Sequence, residues 1–113
     1  MSRRLEQMNS LLRERISQFL LFNFESPPGV LVTITRVETT PDLHEAKVYV
    51  SILPKNTRGS ILESLRKMAP EIRRSLYHDL ETHSVPIIVF LIDEADVRAA
   101  GVEELLDSLR DTS

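Results

Sequence analysis

Two stretches leave this chain little freedom about what it becomes: Val30 to Glu38 and His44 to Leu53, separated by Thr39-Thr40-Pro41-Asp42-Leu43. In the first, Val30, Val32 and Ile34 alternate with Leu31, Thr33 and Thr35. In the second, Ala46, Val48, Val50 and Ile52 alternate with Lys47, Tyr49 and Ser51. Successive side chains of a strand point to opposite faces, so a period of two predicts strands with one buried and one wetter face; β-branching favours the same outcome. The five-residue link supplies turn chemistry, which makes an antiparallel hairpin the simplest connection.

Helical periods flank the hairpin. From Arg3 to about Phe22, Leu5, Met8, Leu12, Ile16, Phe19 and Leu20 recur at three- and four-residue intervals and share one helical face. Arg4, Leu11 and Arg15 fall on a flank of that face, by ~100° per residue. Arginines in the first turn oppose the helix dipole, which fits either a frayed, solvated end or a site for a polyanion. Asn23 to Gly29 predicts a loop, because Pro27 and Pro28 cannot continue a helix and Gly29 permits a turn. After a second loop, Pro54 to Gly59, Ser60 and Glu63 form a capping-box pattern that starts a helix with Ile61, Leu62, Leu65 and Met68 inward. Pro70 interrupts it, and Ile72, Leu76 and Leu80 resume at four-residue spacing, which predicts two helices joined by a kink at Met68-Ala69-Pro70. Pro86 to Ile92 is nearly all apolar and reads as a strand buried on both faces. Val102, Leu105, Leu106 and Leu109 then suggest a short amphipathic helix. The class is α+β, in the order α-β-β-α-α-β: a domain at 1–92 and an acidic helical tail at 93–113.

The chain is 113 residues long, the size of one domain with one core, and has no cysteine, which fits a reducing compartment. Its charged and apolar N-terminus does not look like a signal peptide, and no apolar run nears the roughly 18 residues of a membrane helix. These features predict a soluble cytoplasmic protein.

Little points to catalysis. His44, His78 and His83 lack metal-ligand spacing to one another, and Gly29, Gly59 and Gly101 are too scattered for a phosphate-cradling loop. The expectation is no enzyme, no metal and no cofactor. The basic residues are more informative. The net charge is −3, yet residues 1–92 carry twelve Lys/Arg against ten Asp/Glu, and 93–113 carry two against seven. The body is thus mildly basic and the acidity belongs to the tail. Arg66, Lys67, Arg73 and Arg74 bracket the kink within nine positions, and a helix start there would also offer free N–H groups to phosphate, although Glu71 opposes this. RNA binding and mere solubility account for that cluster equally well.

Several motifs in order resemble one bacterial family. The run Val32-Thr33-Ile34-Thr35-Arg36-Val37, then Asp42-Leu43, then Ala46-Lys47-Val48-Tyr49-Val50-Ser51 is similar to the central stretch of ribosome-binding factor A. Val85-Pro86 with Ile88, Phe90 and Asp93 follows that family's V-P-x-L-x-F-x-x-D, and Ile72-Arg73, Arg3-Arg4-Leu5 and Ile16-Ser17 also fit, so the likeness runs from about Arg3 to Leu109. The resemblance implies a type II KH-like fold, with a three-stranded sheet and helices on one face. It also implies binding to the immature small (30S) ribosomal subunit and a part in 16S rRNA maturation, often tied to growth in the cold. Where the family has A-x-G at its kink, this chain reads Met68-Ala69-Pro70, and His83 stands where an arginine often precedes V-P. With the basic cluster, the likeness makes Arg66, Lys67, Arg73 and Arg74 the candidate contacts to rRNA phosphates, with Arg4 and Arg15 behind them, in a factor acting as a monomer. The competing expectation is a protein–protein adaptor that uses its acidic tail to bind a basic partner.

Overall fold

The computed structural model describes residues 3–80 and 85–94. Along the chain run α1 (Arg3–Asn23), β1 (Leu31–Thr39), β2 (Glu45–Leu53), a 3-10 turn (Lys55–Thr57), α2 (Arg58–Leu80) and β3 (Ile87–Ile92). The three strands form one sheet in the order β1-β2-β3, with β1 antiparallel and β3 parallel to the central β2. A parallel neighbour cannot be reached by a hairpin, so the chain crosses over through α2, a βαβ unit.

The hairpin forms as its alternation dictates. Ala46, Val48, Val50 and Ile52 are all fully buried on one face of β2. The turn is held locally: the Thr40 and Glu45 backbones pair, and Asp42 accepts hydrogen bonds from the Thr40 hydroxyl at 2.7 Å and the His44 N–H at 3.1 Å. Those bonds, the hydroxyl first, hold the Asp42 carboxyl below its ordinary pKa. At the other end of β1, the Pro27 carbonyl accepts from the Val30 N–H, and Gly29 sits at φ +81°, which an L side chain rarely tolerates.

Both helices pack on the buried face. Leu12, Ile16 and Leu20 of α1 and Ile61, Leu65, Ile72 and Leu76 of α2 enclose the core with Phe90 and Ile88 of β3. The kinked pair is, instead, one helix with Pro70 inside it. Proline removes a single N–H, whereas the buried positions on either side of Pro70 keep one helical phase, so packing carries the helix through. The capping box does not start this helix either. The 3-10 turn feeds straight into Arg58, which leaves Ser60 inside, its hydroxyl donating to the Thr57 carbonyl.

The third strand also departs from expectation. It is an edge strand, with Ile88 and Phe90 buried but Ile87 40% exposed. An apolar run alone does not say how many neighbours a strand has. The expected C-terminal helix and His83 lie outside the described residues. Among the described residues, no helix is long and apolar enough to cross a membrane.

Candidate nucleic-acid interface

Alternate residues of a parallel edge strand turn their backbone groups away from the sheet. Ile87 and Asp93 donate inward, to the His44 and Val50 carbonyls, so by the two-residue alternation Ile88, Phe90 and Ile92 turn their backbone groups outward. Along this free edge of β3 runs α2, and two of its arginines reach across. Arg66 donates from Nε and Nη2 to the Phe90 carbonyl at 3.4 and 3.3 Å. Arg73 donates from the same two nitrogens to the Val85 carbonyl at 3.1 and 3.0 Å. Seven residues are two helical turns, so both arginines leave α2 on one flank, between its buried and its solvated face.

Between helix and strand lies a cleft of about 520 Å³. Its floor is apolar, made by Ala69, Pro70, Ile87 and Ile88, and its rim carries Arg66, Arg73 and Arg74 with Tyr77. The Arg73 guanidinium carbon stands 5.7 Å from the centroid of the Tyr77 ring. A carbonyl oxygen is a dipole, not a charge, so the bonds that hold Arg66 and Arg73 in place do not cancel their charge. Among the described residues, none of the three arginines is in an ion pair. The cleft is therefore cationic and preorganised, with an apolar base.

The candidate residues divide accordingly. Arg66, Arg73, Arg74, Ala69 and Pro70 come together here. Lys67 points elsewhere, exposed and 3.8 Å from Glu63 one turn back, while Met68 packs against the core. Arg4 and Arg15, on α1, are not part of the cleft; Arg4 is exposed, and the Arg15 Nε is buried without a hydrogen-bond partner. Sequence reasoning missed Tyr77, Ile87 and Ile88. Tyr77 could have been found, because it follows Arg73 by four residues and Pro70 by seven and so shares their face.

A second polar group occupies the sheet face away from the helices. The register of β1 on β2 slips between Ile34 and Arg36, so Thr35 is an extra residue, a β-bulge. The Thr35 hydroxyl donates to Asp93 Oδ2 at 2.6 Å, which ties the end of β3 to β1 across the central strand. Arg36 lies 4.0 Å from the Tyr49 ring centroid, 4.0 Å from Asp93 Oδ2 and 2.9 Å from Glu38. This arginine is neutralised by its own fold.

Comparison with known proteins agrees with this architecture. The family model for ribosome-binding factor A matches residues 4–106. A ribosome-binding factor A of Akkermansia muciniphila is 32% identical over 109 residues, covering 96% of this chain and 86% of that protein. One from Chlamydia caviae is 34% identical over 113 residues, covering 97% and 94%. Among solved structures, that of a Thermotoga maritima protein described as a putative ribosome binding factor A superposes with a TM-score of 0.69 at 25% identity, over 80% of this chain and 88% of that one. The crystal structure of ribosome-binding factor A from Thermus thermophilus gives 0.68 at 16% identity, over 78% and 94%. A homology model of the Thermus thermophilus factor, fitted into a cryo-EM map of its complex with 30S, gives 0.59 at 20%, over 84% and 97%.

Proposed function

The chain belongs to the ribosome-binding factor A family, and from that premise we propose that it is a non-catalytic, cytoplasmic assembly factor that binds the immature 30S subunit as a monomer and assists 16S rRNA maturation. The observation that carries this reading is the α2–β3 cleft, where three arginines stand on a rim without acid partners among the described residues. Such a rim suits the sugar–phosphate chain of rRNA, and the outward backbone groups of β3 suit base edges. Arg66, Arg73 and Arg74 make the phosphate contacts; Lys67, Arg4 and Arg15 serve as outlying cations that help bring in the polyanion. Pro70 puts a pyrrolidine ring in the cleft floor where the family's pattern has glycine, so α2 contributes an apolar surface there rather than a close backbone approach. The cold-growth role of the family fits the same reading, since misfolded RNA rearranges slowly at low temperature.

The test is co-sedimentation with isolated 30S, 50S and 70S particles at graded salt. Selective binding to 30S that falls steeply with salt is expected, and it should weaken strongly on Arg74→Glu. Equal binding to all three particles, or none at low salt, would overturn the reading. Binding that survives Arg74→Glu but is lost on deleting 93–113 would instead favour an adaptor that works through its acidic tail.

A further inference from the structure

A chain that binds RNA gains no affinity from a polyanion of its own. Yet residues 95–113 carry five acids, Asp96, Glu103, Glu104, Asp107 and Asp111, against Arg98 and Arg110. Without that segment the chain is neutral, with twelve Lys/Arg and twelve Asp/Glu. The segment is also amphipathic in sequence. Val102, Leu105, Leu106 and Leu109 recur at the spacing of one helical face, and Glu103 and Asp107 fall four residues apart on one flank of it. From Val102 to Leu109 is seven residues, about 10.5 Å along a helix. Arg66 and Arg73 are the same seven residues apart on α2.

Two apolar recesses could receive such a stripe. The one between α1 and β1 holds about 280 Å³, and its lining, from Ser17 to Ile34, includes no charged side chain. The α2–β3 cleft is nearly twice as large and joins an apolar floor to three guanidinium groups along one rim. A stripe with acids on one flank matches the second and not the first. The path to it is short. β3 ends at Ile92, close to Arg66, which holds the Phe90 carbonyl. The described residues end at Glu94. The eight residues from there to Val102 span up to about 26 Å when extended, more than the roughly 20 Å length of β3.

Resting on the RNA-binding reading above, we propose that residues 95–113 dock in the α2–β3 cleft of their own chain. Val102, Leu105, Leu106 and Leu109 lie on the Ile87–Ile88 floor, and Glu103 and Asp107 face the rim arginines. The tail is then a competitor for the surface that meets rRNA. Tethered in cis, it is present at an effective concentration on the order of mM, so a weak contact suffices to occupy the cleft. Apparent affinity for RNA falls in proportion to the fraction of chains whose cleft is open. Weak, nonspecific polyanions are kept out, and a 30S surface that binds more tightly displaces the tail.

The experiment keeps the full chain and changes only the stripe. Leu105→Asp with Leu109→Asp removes the apolar contact while making the tail more acidic; Leu105→Ser with Leu109→Ser removes it at constant charge. Binding to isolated 30S particles is measured for each, and methyl NMR of the free protein follows Ile87 and Ile88. Both variants should bind 30S at least about threefold more tightly than the wild-type chain. Their Ile87 and Ile88 signals should be displaced from the wild-type positions, which should not depend on protein concentration. A tail that only repels RNA gives the opposite sign in the Asp variant, and an adaptor that grips a basic partner through its tail loses affinity in both; either result overturns the inference. So do Ile87 and Ile88 signals that stay in place, displacement at Leu21 and Leu31 instead, or positions that move on dilution, which would assign the cleft to a second copy's tail. The two readings fail separately. If 30S binds all three chains equally and the cleft signals do not move, the docked tail falls and the ribosome-binding role stands. If 30S binds none of them, that role falls and the Ile87 and Ile88 signals alone decide the docking.

Discussion

Among the described residues, two arginines are set against tyrosines, and they are used in opposite ways. On the open sheet face, Arg36 lies on Tyr49 between Glu38 and Asp93, and two carboxylates answer one guanidinium. In the cleft, Arg73 lies near Tyr77 but is held by a backbone carbonyl. Both side chains are positioned, yet only the second keeps an outward field. Placement of a cation and neutralisation of a cation are separate properties, and the acceptor decides between them: a carboxylate gives both, a carbonyl gives the first alone. A count of basic residues does not distinguish Arg36 from Arg73. The list of acceptors does.

The contrast can be pressed hardest at its neutralised end. Asp93→Ala removes an acceptor whose side chain is only 11% exposed and leaves the Thr35 hydroxyl and the half-exposed Arg36 without it. The expected cost is about 2–3 kcal/mol in urea unfolding, because a charge-assisted hydrogen bond and an ion pair go together, although the Thr35 hydroxyl keeps the Tyr49 carbonyl as an acceptor. Binding to 30S by the folded fraction should be unchanged. Next comes Arg73→Met, which keeps an apolar stem but loses both bonds to Val85. About 2 kcal/mol of stability should go, and 30S affinity should fall with it, so the two regions differ in whether stability and binding move together. Arg74→Ala, exposed and unpaired among the described residues, should change stability by less than about 0.5 kcal/mol while still weakening 30S binding. That separation of binding from stability is the sharpest mark of a cation kept for a partner.

The smallest effect belongs to the hairpin turn, which serves neither region. Because the Thr40 hydroxyl and the His44 N–H lower the folded pKa of Asp42, its contribution is present above the unfolded pKa and is lost as pH falls through the folded one, beneath about pH 4. An NMR titration of the Asp42 carboxyl should show a midpoint below that of an unfolded peptide, and Thr40→Val should raise it.

What could be read from the sequence follows from the range of the interactions. The faces of α1, β2 and α2 are legible because periodicity is local: Ile61, Leu65, Ile72 and Leu76 are buried on the expected face of α2, with Leu62 and Met68 partly buried at its margins. The basic cluster was legible as a count. Its meaning was not, because the Arg66–Phe90 and Arg73–Val85 bonds join residues 24 and 12 apart, across a crossover that no local pattern encodes. The Thr35–Asp93 bond spans 58 residues and needs a bulge that strict alternation hides. Pro70 misled for the opposite reason: a local rule for breaking helices was overridden by the packing of the turns on either side.

In the proposed binding mode, guanidinium groups that have no acid partner among the described residues of the α2–β3 cleft meet RNA phosphates, whereas Arg36, neutralised by its own fold, does not. The salt dependence of 30S association tests this directly, measured for the wild-type chain, Arg74→Ala and Arg36→Ala. On a double-logarithmic plot, Arg74→Ala should flatten the slope by about 0.7–0.9, one phosphate's worth, and Arg36→Ala should leave it as it was. A slope unmoved by Arg74→Ala, or flattened as much by Arg36→Ala, would contradict the account.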